Sequence, residues 1–175
     1  MFVGIIHTLY LIGISVLFVA GARKLWSPHA AEAALRAQQI SVPSGTGRLL
    51  GIFEIAVALV AWFVEGPLTA ALVGLSYLSF ALFVARAARR RTPCGCVGSS
   101  REPAGYLQAV LDLAFAVAAL AVASVQPEHA REVLAGQPSK WVQFGALIGL
   151  GTVLAHHATG LLVDLSQFHR RERPS

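Results

Sequence analysis

The sequence predicts an all-α, polytopic membrane bundle of about five transmembrane helices, and three observations carry that prediction. Of its 175 residues, 55% are hydrophobic and only 13% charged. The mean hydropathy of +0.63 is too high for a domain that must wet its whole surface. The apolar residues fall in five runs close to the roughly 17–25 residues that cross a bilayer core. Trp26, Trp62 and Trp141 each stand near the end of a run, where the amphipathic indole favours the headgroup region.

The first run covers residues 2–22. Ala20-Gly21-Ala22 has the look of a signal-peptide cleavage site, but no basic segment precedes the run and Arg23 and Lys24 follow it. That charge pattern predicts an uncleaved first helix. Ser27 and Pro28 then offer an N-cap and a proline at the first helical position. The Ala-rich stretch from there to Ile40, ending before Pro43, reads as a short helix lying on the membrane interface. The second span, residues 49–64, is short and begins slightly earlier than its apolar run. A tight Glu65-Gly66-Pro67 turn leads into the third, residues 68–85. The fourth covers residues 106–125 and the fifth 142–163, joined by a loop with a proline near each end. Glu128, Arg131 and Glu132 in that loop suggest a second short helical excursion. Abundant Ala and Gly, including the Gly145/Gly149 pair, let membrane helices approach closely.

Orientation follows from the basic residues. Twelve of the fourteen Lys and Arg residues fall in segments on one side of the five spans, and only Arg131 and Lys140 on the other. The positive-inside rule therefore predicts a multi-pass protein of a bacterial inner membrane, with the N-terminus outside and the C-terminus and the loop after the third span in the cytoplasm. The formal net charge of +5 is then a matter of topology, and no nucleic-acid partner is needed to explain it. Ala- and Arg-rich usage with two lysines matches a GC-rich bacterial genome.

The chemistry concentrates in Pro93-Cys94-Gly95-Cys96-Val97-Gly98, which holds the chain's two cysteines. Gly95 lets the backbone bend sharply between the thiols. Three uses stay open. The pair can exchange as dithiol and disulfide with a thiol of another protein. It can bind a soft ion such as Cu(I), with His156 or His157 as further ligand, since two thiolates fall short of the four ligands of a structural zinc site. It can also be inert packing, as in a non-catalytic subunit of a larger membrane complex to which both cysteines are dispensable, although the i, i+2 spacing in a Pro/Gly loop argues against packing. His156 and His157 point about 100° apart on a helix, so they cannot share one partner, and an interhelical hydrogen bond is the alternative use of either. His7 reads as an interface residue at the far end of the first helix, and Asp164 as an inner-end residue beside the basic tail.

Charged groups inside spans are costly, about 2.5–3.5 kcal/mol for Asp, Arg or Lys at the centre. Glu54 lies inside the second span, Asp112 inside the fourth, and Lys24 ends the first. Connectivity alone puts Lys24, Glu54, Cys94, Cys96 and Asp112 on one membrane side. A cation there lowers a thiol's pKa and a carboxylate takes up or orients the released proton; the alternative is plain neutralisation of buried charge, Lys24 pairing with Glu54 or Asp112.

With these residues in view, the chain resembles the MauE branch of the MauE/DoxX-like membrane proteins. The matching features are Gly21-x-x-Lys24 closing the first helix, Gly51-x-x-Glu54 in the second, and the Cys94-Gly95-Cys96 motif before the fourth, in the family's order over roughly residues 10–125. Val97 departs from the aromatic that usually follows the second cysteine. The resemblance implies a four-helix DoxX-like core over residues 1–125, leaving residues 126–175 as an additional loop, a fifth span and a basic tail. It implies redox maturation of methylamine dehydrogenase beside a thioredoxin-like partner; the shared membrane side marks Cys94, Cys96, Lys24 and Glu54 as the working residues, with Asp112 and Gly95 in support. That role concerns disulfides outside the cytoplasm, whereas the charge tally puts the cysteines inside. Two cysteines cannot relay electrons across a membrane alone, so transfer would need a quinone, another cofactor or a partner.

Overall fold

A backbone inside hydrocarbon must satisfy its own hydrogen bonds, and helices do so within one segment. The computed structural model describes residues 2–64, 66–92 and 105–124. Its helices are α1 (Phe2–Trp26), α2 (Pro28–Ala37), α3 (Thr46–Phe63), α4 (Pro67–Arg90) and α5 (Tyr106–Ser124). Four of them, all but α2, are long and apolar enough to cross a membrane, and no strand occurs among the described residues. The chain is thus a multi-pass helical membrane protein. The expected fifth span, the loop before it, Cys94, Gly95, Cys96, Asp164, His156 and His157 lie outside the described residues.

Two of the described spans outrun their apolar runs at a basic end. α1 continues through Arg23 and Lys24 to Trp26, and α4 continues through Arg89 and Arg90. Long basic side chains bury their stems and favour a helix C-terminus electrostatically, so the helix need not stop where hydropathy falls. The short second helix begins at Pro28 as expected, but Ser27 makes no side-chain capping bond. Proline at the first position leaves one fewer unpaired amide at this end, and the Ser27 carbonyl accepts the Ala30 amide at 3.4 Å.

α4 packs most extensively on α5 and α1 on α3, while α1–α5 and α3–α4 contacts close the four spans into one bundle. The core runs from Tyr10, Ile14 and Leu17 of α1 through Val57 of α3 and Val73 and Tyr77 of α4 to Ala119 and Val122 of α5. Leu49, Phe53, Phe63, Leu68 and Leu82 face outward, as lipid-facing side chains do.

The α1–α3 crossing depends on two glycines. A Cβ on Gly21 would stand 2.8 Å from the Gly51 carbonyl oxygen, and one on Gly51 would stand 2.7 Å from the Gly21 carbonyl oxygen. Neither obstacle is a side chain that can rotate away, so both positions need glycine for this approach. The same contacts explain the spacing of the charges. Gly21 leaves room for the Cβ of Glu54, and Gly51 for the Cβ of Lys24.

Candidate functional site

Side chains on a helix tilt toward its N-terminus. α1 and α3 run in opposite directions, so Lys24, two residues before the end of α1, reaches back into the bundle. Glu54, eight residues into α3, tilts down to meet it. Lys24 Nζ lies 2.7 Å from Glu54 Oε2, to which it donates a hydrogen bond, and 2.7 Å from Oε1. Both residues are sealed, with 8% and 1% of their surface exposed. The ammonium also lies 5.4 Å from the centroid of the Phe80 ring of α4, where a desolvated cation is attracted to the aromatic face. Of the two partners the sequence offered Lys24, the structure gives it Glu54.

Asp112 enters from α5 and is half-buried. The α4–α5 register sets its level. Gly74 packs on Ala116 and Leu120, Tyr77 on Phe115, and Val84 clusters with Ala109, so Asp112 comes level with Phe80. It lies within electrostatic reach of Lys24. The Tyr77 hydroxyl beside this cluster donates to the Gly13 carbonyl at 2.6 Å. Lys24, Glu54 and Asp112 therefore lie at the same end of the bundle, the shared side that connectivity required. The bundle end that holds them is also where α4 ends and α5 begins, the helix ends that bracket the cysteine motif.

Sequence reasoning missed the strap that closes this end. Glu32 of α2 is 3% exposed, and its Oε1 accepts the amides of Gly45 at 2.8 Å and Gly47 at 3.4 Å. Gly45, at φ +95°, is the N-cap residue of α3, so a carboxylate from another helix supplies the cap that α3 lacks locally. Glu32 Oε2 faces Arg36 at 3.5 Å and His29 at 3.9 Å. The Gly45 amide, helped by Gly47, Arg36 and His29 and opposed by burial, holds the Glu32 carboxyl below the ordinary carboxylate range. At the other end of α2, Gln38 Nε2 donates to the Phe83 carbonyl, and Arg90 Nη1 donates to Gln38 O and Gln39 Oε1, each at 3.3 Å. An acidic residue in the second turn of a short amphipathic helix, thirteen positions before a Gly-Thr-Gly helix start, was the available signal for Glu32. Nothing in the sequence marked Phe80.

Among the described residues no group of three or more His, Cys, Asp or Glu side chains is arranged to hold a metal ion. The cluster can instead hold charge and protons: one ammonium, two carboxyl groups and an aromatic face in a low-dielectric setting.

No curated protein and no solved structure matches this chain. The family model described as Methylamine utilisation protein MauE matches residues 2–125, which takes in all four described spans, Gly21, Lys24, Gly51, Glu54, Asp112 and the cysteine motif. The chain belongs to the MauE family of membrane proteins associated with methylamine utilisation.

Proposed function

We propose that this protein exchanges a Cys94/Cys96 dithiol and disulfide with a thioredoxin-like partner, in support of protein maturation of the kind methylamine dehydrogenase requires. The observation that carries the reading is the sealed Lys24–Glu54 pair at the bundle end where α4 stops and α5 starts. A buried ammonium near a thiol raises the thiolate fraction, and exchange proceeds by attack of a thiolate on a disulfide sulfur through a mixed disulfide. Lys24 supplies the charge, Glu54 fixes its position and assists proton movement, and Asp112 and Gly95 support them. Family membership adds the methylamine setting. The basic tally puts this end in the cytoplasm of a bacterial cell and the N-terminus outside.

The test is replacement of Cys94 and Cys96 by serine, singly and together, in the host. Loss of methylamine-dependent growth with accumulation of immature dehydrogenase is the expected result, and a fully active double-serine variant sinks the reading. Trapping a mixed disulfide with a resolving-cysteine mutant of the partner shows exchange directly. Cu(I) retained by the reduced wild type, above a double-serine control and without any mixed disulfide, would replace exchange by metal binding. Labelling of the two thiols in intact cells with a membrane-impermeant maleimide decides the side: reaction from outside reverses the assigned orientation.

A further inference from the structure

Among the described residues the cluster holds one cation and two carboxyl groups, and that count does not balance. Lys24 and Glu54 neutralise each other at 2.7 Å on both carboxylate oxygens. Asp112 lies level with Phe80, whose ring is 5.4 Å from the same ammonium, and is within electrostatic reach of it. The groups facing Asp112 from the helices around it are Lys24 of α1, Tyr77 of α4 and, across Lys24, Glu54 of α3; the Tyr77 hydroxyl is already donated to the Gly13 carbonyl. Among the described residues, Lys24 is the cation that acts on Asp112. A net negative charge six residues into a membrane helix, about 9 Å from its start, is expensive to keep. A proton removes it.

We propose that Asp112 carries the single exchangeable proton of an electroneutral site made of the Lys24 ammonium, the Glu54 carboxylate and the Asp112 carboxylic acid. Glu54 is the fixed counter-ion, because Lys24 Nζ lies 2.7 Å from each of its oxygens and donates a hydrogen bond to Oε2. Asp112 is the member free to give up or accept a proton when the charge around Lys24 changes. The assignment rests on the geometry of the cluster and stands whether or not Cys94 and Cys96 exchange thiols.

Asp112 and Asp164 are the chain's two aspartates, so the full-length Asp164→Asn variant, labelled with carboxyl-13C aspartate and reconstituted in lipid vesicles, gives an infrared signal from Asp112 alone. The expected result at neutral pH is the C=O stretch of a protonated carboxylic acid, shifting on exchange into D2O. A symmetric and antisymmetric carboxylate pair in its place overturns the proposal. Charge counting then predicts the response to a second variant. In Glu54→Gln the ammonium has lost its counter-ion, so Asp112 releases its proton and the acid band gives way to the carboxylate pair. An acid band unchanged in Glu54→Gln also overturns the proposal, since it means Asp112 does not share Lys24 with Glu54. None of these readings depends on the cysteines: serine at both positions leaves the predicted spectra as they are, which separates failure of this assignment from failure of thiol exchange.

Discussion

Glu32 and Glu54 are two carboxylates almost equally hidden, at 3% and 1% exposure, in regions that differ in what answers the charge. Around Glu32 the partners are the backbone amides that open α3, with Arg36 and His29 outside them. Amides do not titrate, and the arrangement is a helix cap supplied from a neighbouring helix. Around Glu54 the partner is a lysine side chain deep in the bundle, beside an aromatic ring and a second carboxyl group. Every charged member there can change protonation, and the cost of imbalance is high because Lys24 and Glu54 are sealed from solvent. Burial alone does not separate a structural carboxylate from a chemical one; the identity of the partner does.

The largest effect should come from unbalancing the inner region. Lys24→Met leaves Glu54 buried without its cation and should cost about 3–5 kcal/mol of stability, read from denaturant unfolding of detergent-solubilised protein. The Lys24→Met/Glu54→Met double variant removes the orphaned charge as well and should recover most of that loss, since a buried pair is often replaceable by apolar side chains at little cost. A double variant as unstable as the single one would show that the pair is held by something other than its own charge balance.

The next effect sharpens the link between the glycines and the charges. Gly51→Ala sets a Cβ 2.7 Å from the Gly21 carbonyl oxygen and 3.1 Å from Lys24 Cβ, so backbone and ammonium stem must both shift. Overpacking of this kind costs about 1–3 kcal/mol, and Lys24 should lose its alignment with Glu54. Gly74→Ala is the control, because its nearest obstacles, Leu120 Cγ at 2.8 Å and Cδ2 at 2.9 Å, belong to a side chain that can change rotamer rather than to backbone. Equal losses at the two positions would mean that the α1–α3 crossing is no more constrained than the α4–α5 contact.

Much of this architecture was legible beforehand. Long apolar runs of span length, prolines at Pro28 and Pro67 and tryptophans at run ends all follow from local physical chemistry, and the helices start at those prolines. The shared side of Lys24, Glu54 and Asp112 was legible too, because helix connectivity alone fixes it. Their contacts were not. Gly21-x-x-Lys24 and Gly51-x-x-Glu54 look like two separate motifs until the crossing shows that each glycine houses the other helix's charged stem. The cap at Gly45 was hidden for the opposite reason: its carboxylate comes from another helix, and local capping patterns contain no term for that. Phe80 is one of many apolar residues in α4, and only the rotation of α4 toward α1 singles it out.

At Glu32 the contrast is a matter of pH. Its carboxyl is held below the ordinary range in the folded protein, so it stabilises the fold at pH values above its unfolded pKa, and that contribution fades as pH falls through the folded value. Acid unfolding should therefore begin at higher pH in Glu32→Gln, with the wild type and variant converging at the acid extreme where Glu32 is protonated in both. The loss at neutral pH should be smaller than for Lys24→Met, a thermal midpoint lower by a few degrees. Methylamine-dependent growth should survive it. A variant as damaging to function as Lys24→Met would move Glu32 from the structural to the chemical side of the comparison.

The smallest loss is expected at Gln38, a buried polar side chain that neither caps nor pairs. It is 0% exposed, its Nε2 reaches the Phe83 carbonyl at 3.3 Å, and its Oε1 has no hydrogen-bond partner among the described residues. Methionine has nearly the same length and adapts to irregular space. Gln38→Met gives up one long hydrogen bond, a net contribution of about 0.5–1.5 kcal/mol, and relieves an orphaned acceptor that costs about 1–3 kcal/mol. The two changes oppose each other, and the Phe83 carbonyl lies within α4, where it can keep its helical bond. Unfolding should therefore shift by between a loss of about 0.5 and a gain of about 2.5 kcal/mol. A loss well beyond that would mean that Oε1 is answered by a donor from the residues beyond those described, and Gln38 would then join Glu54 as a buried polar group whose partner defines its role.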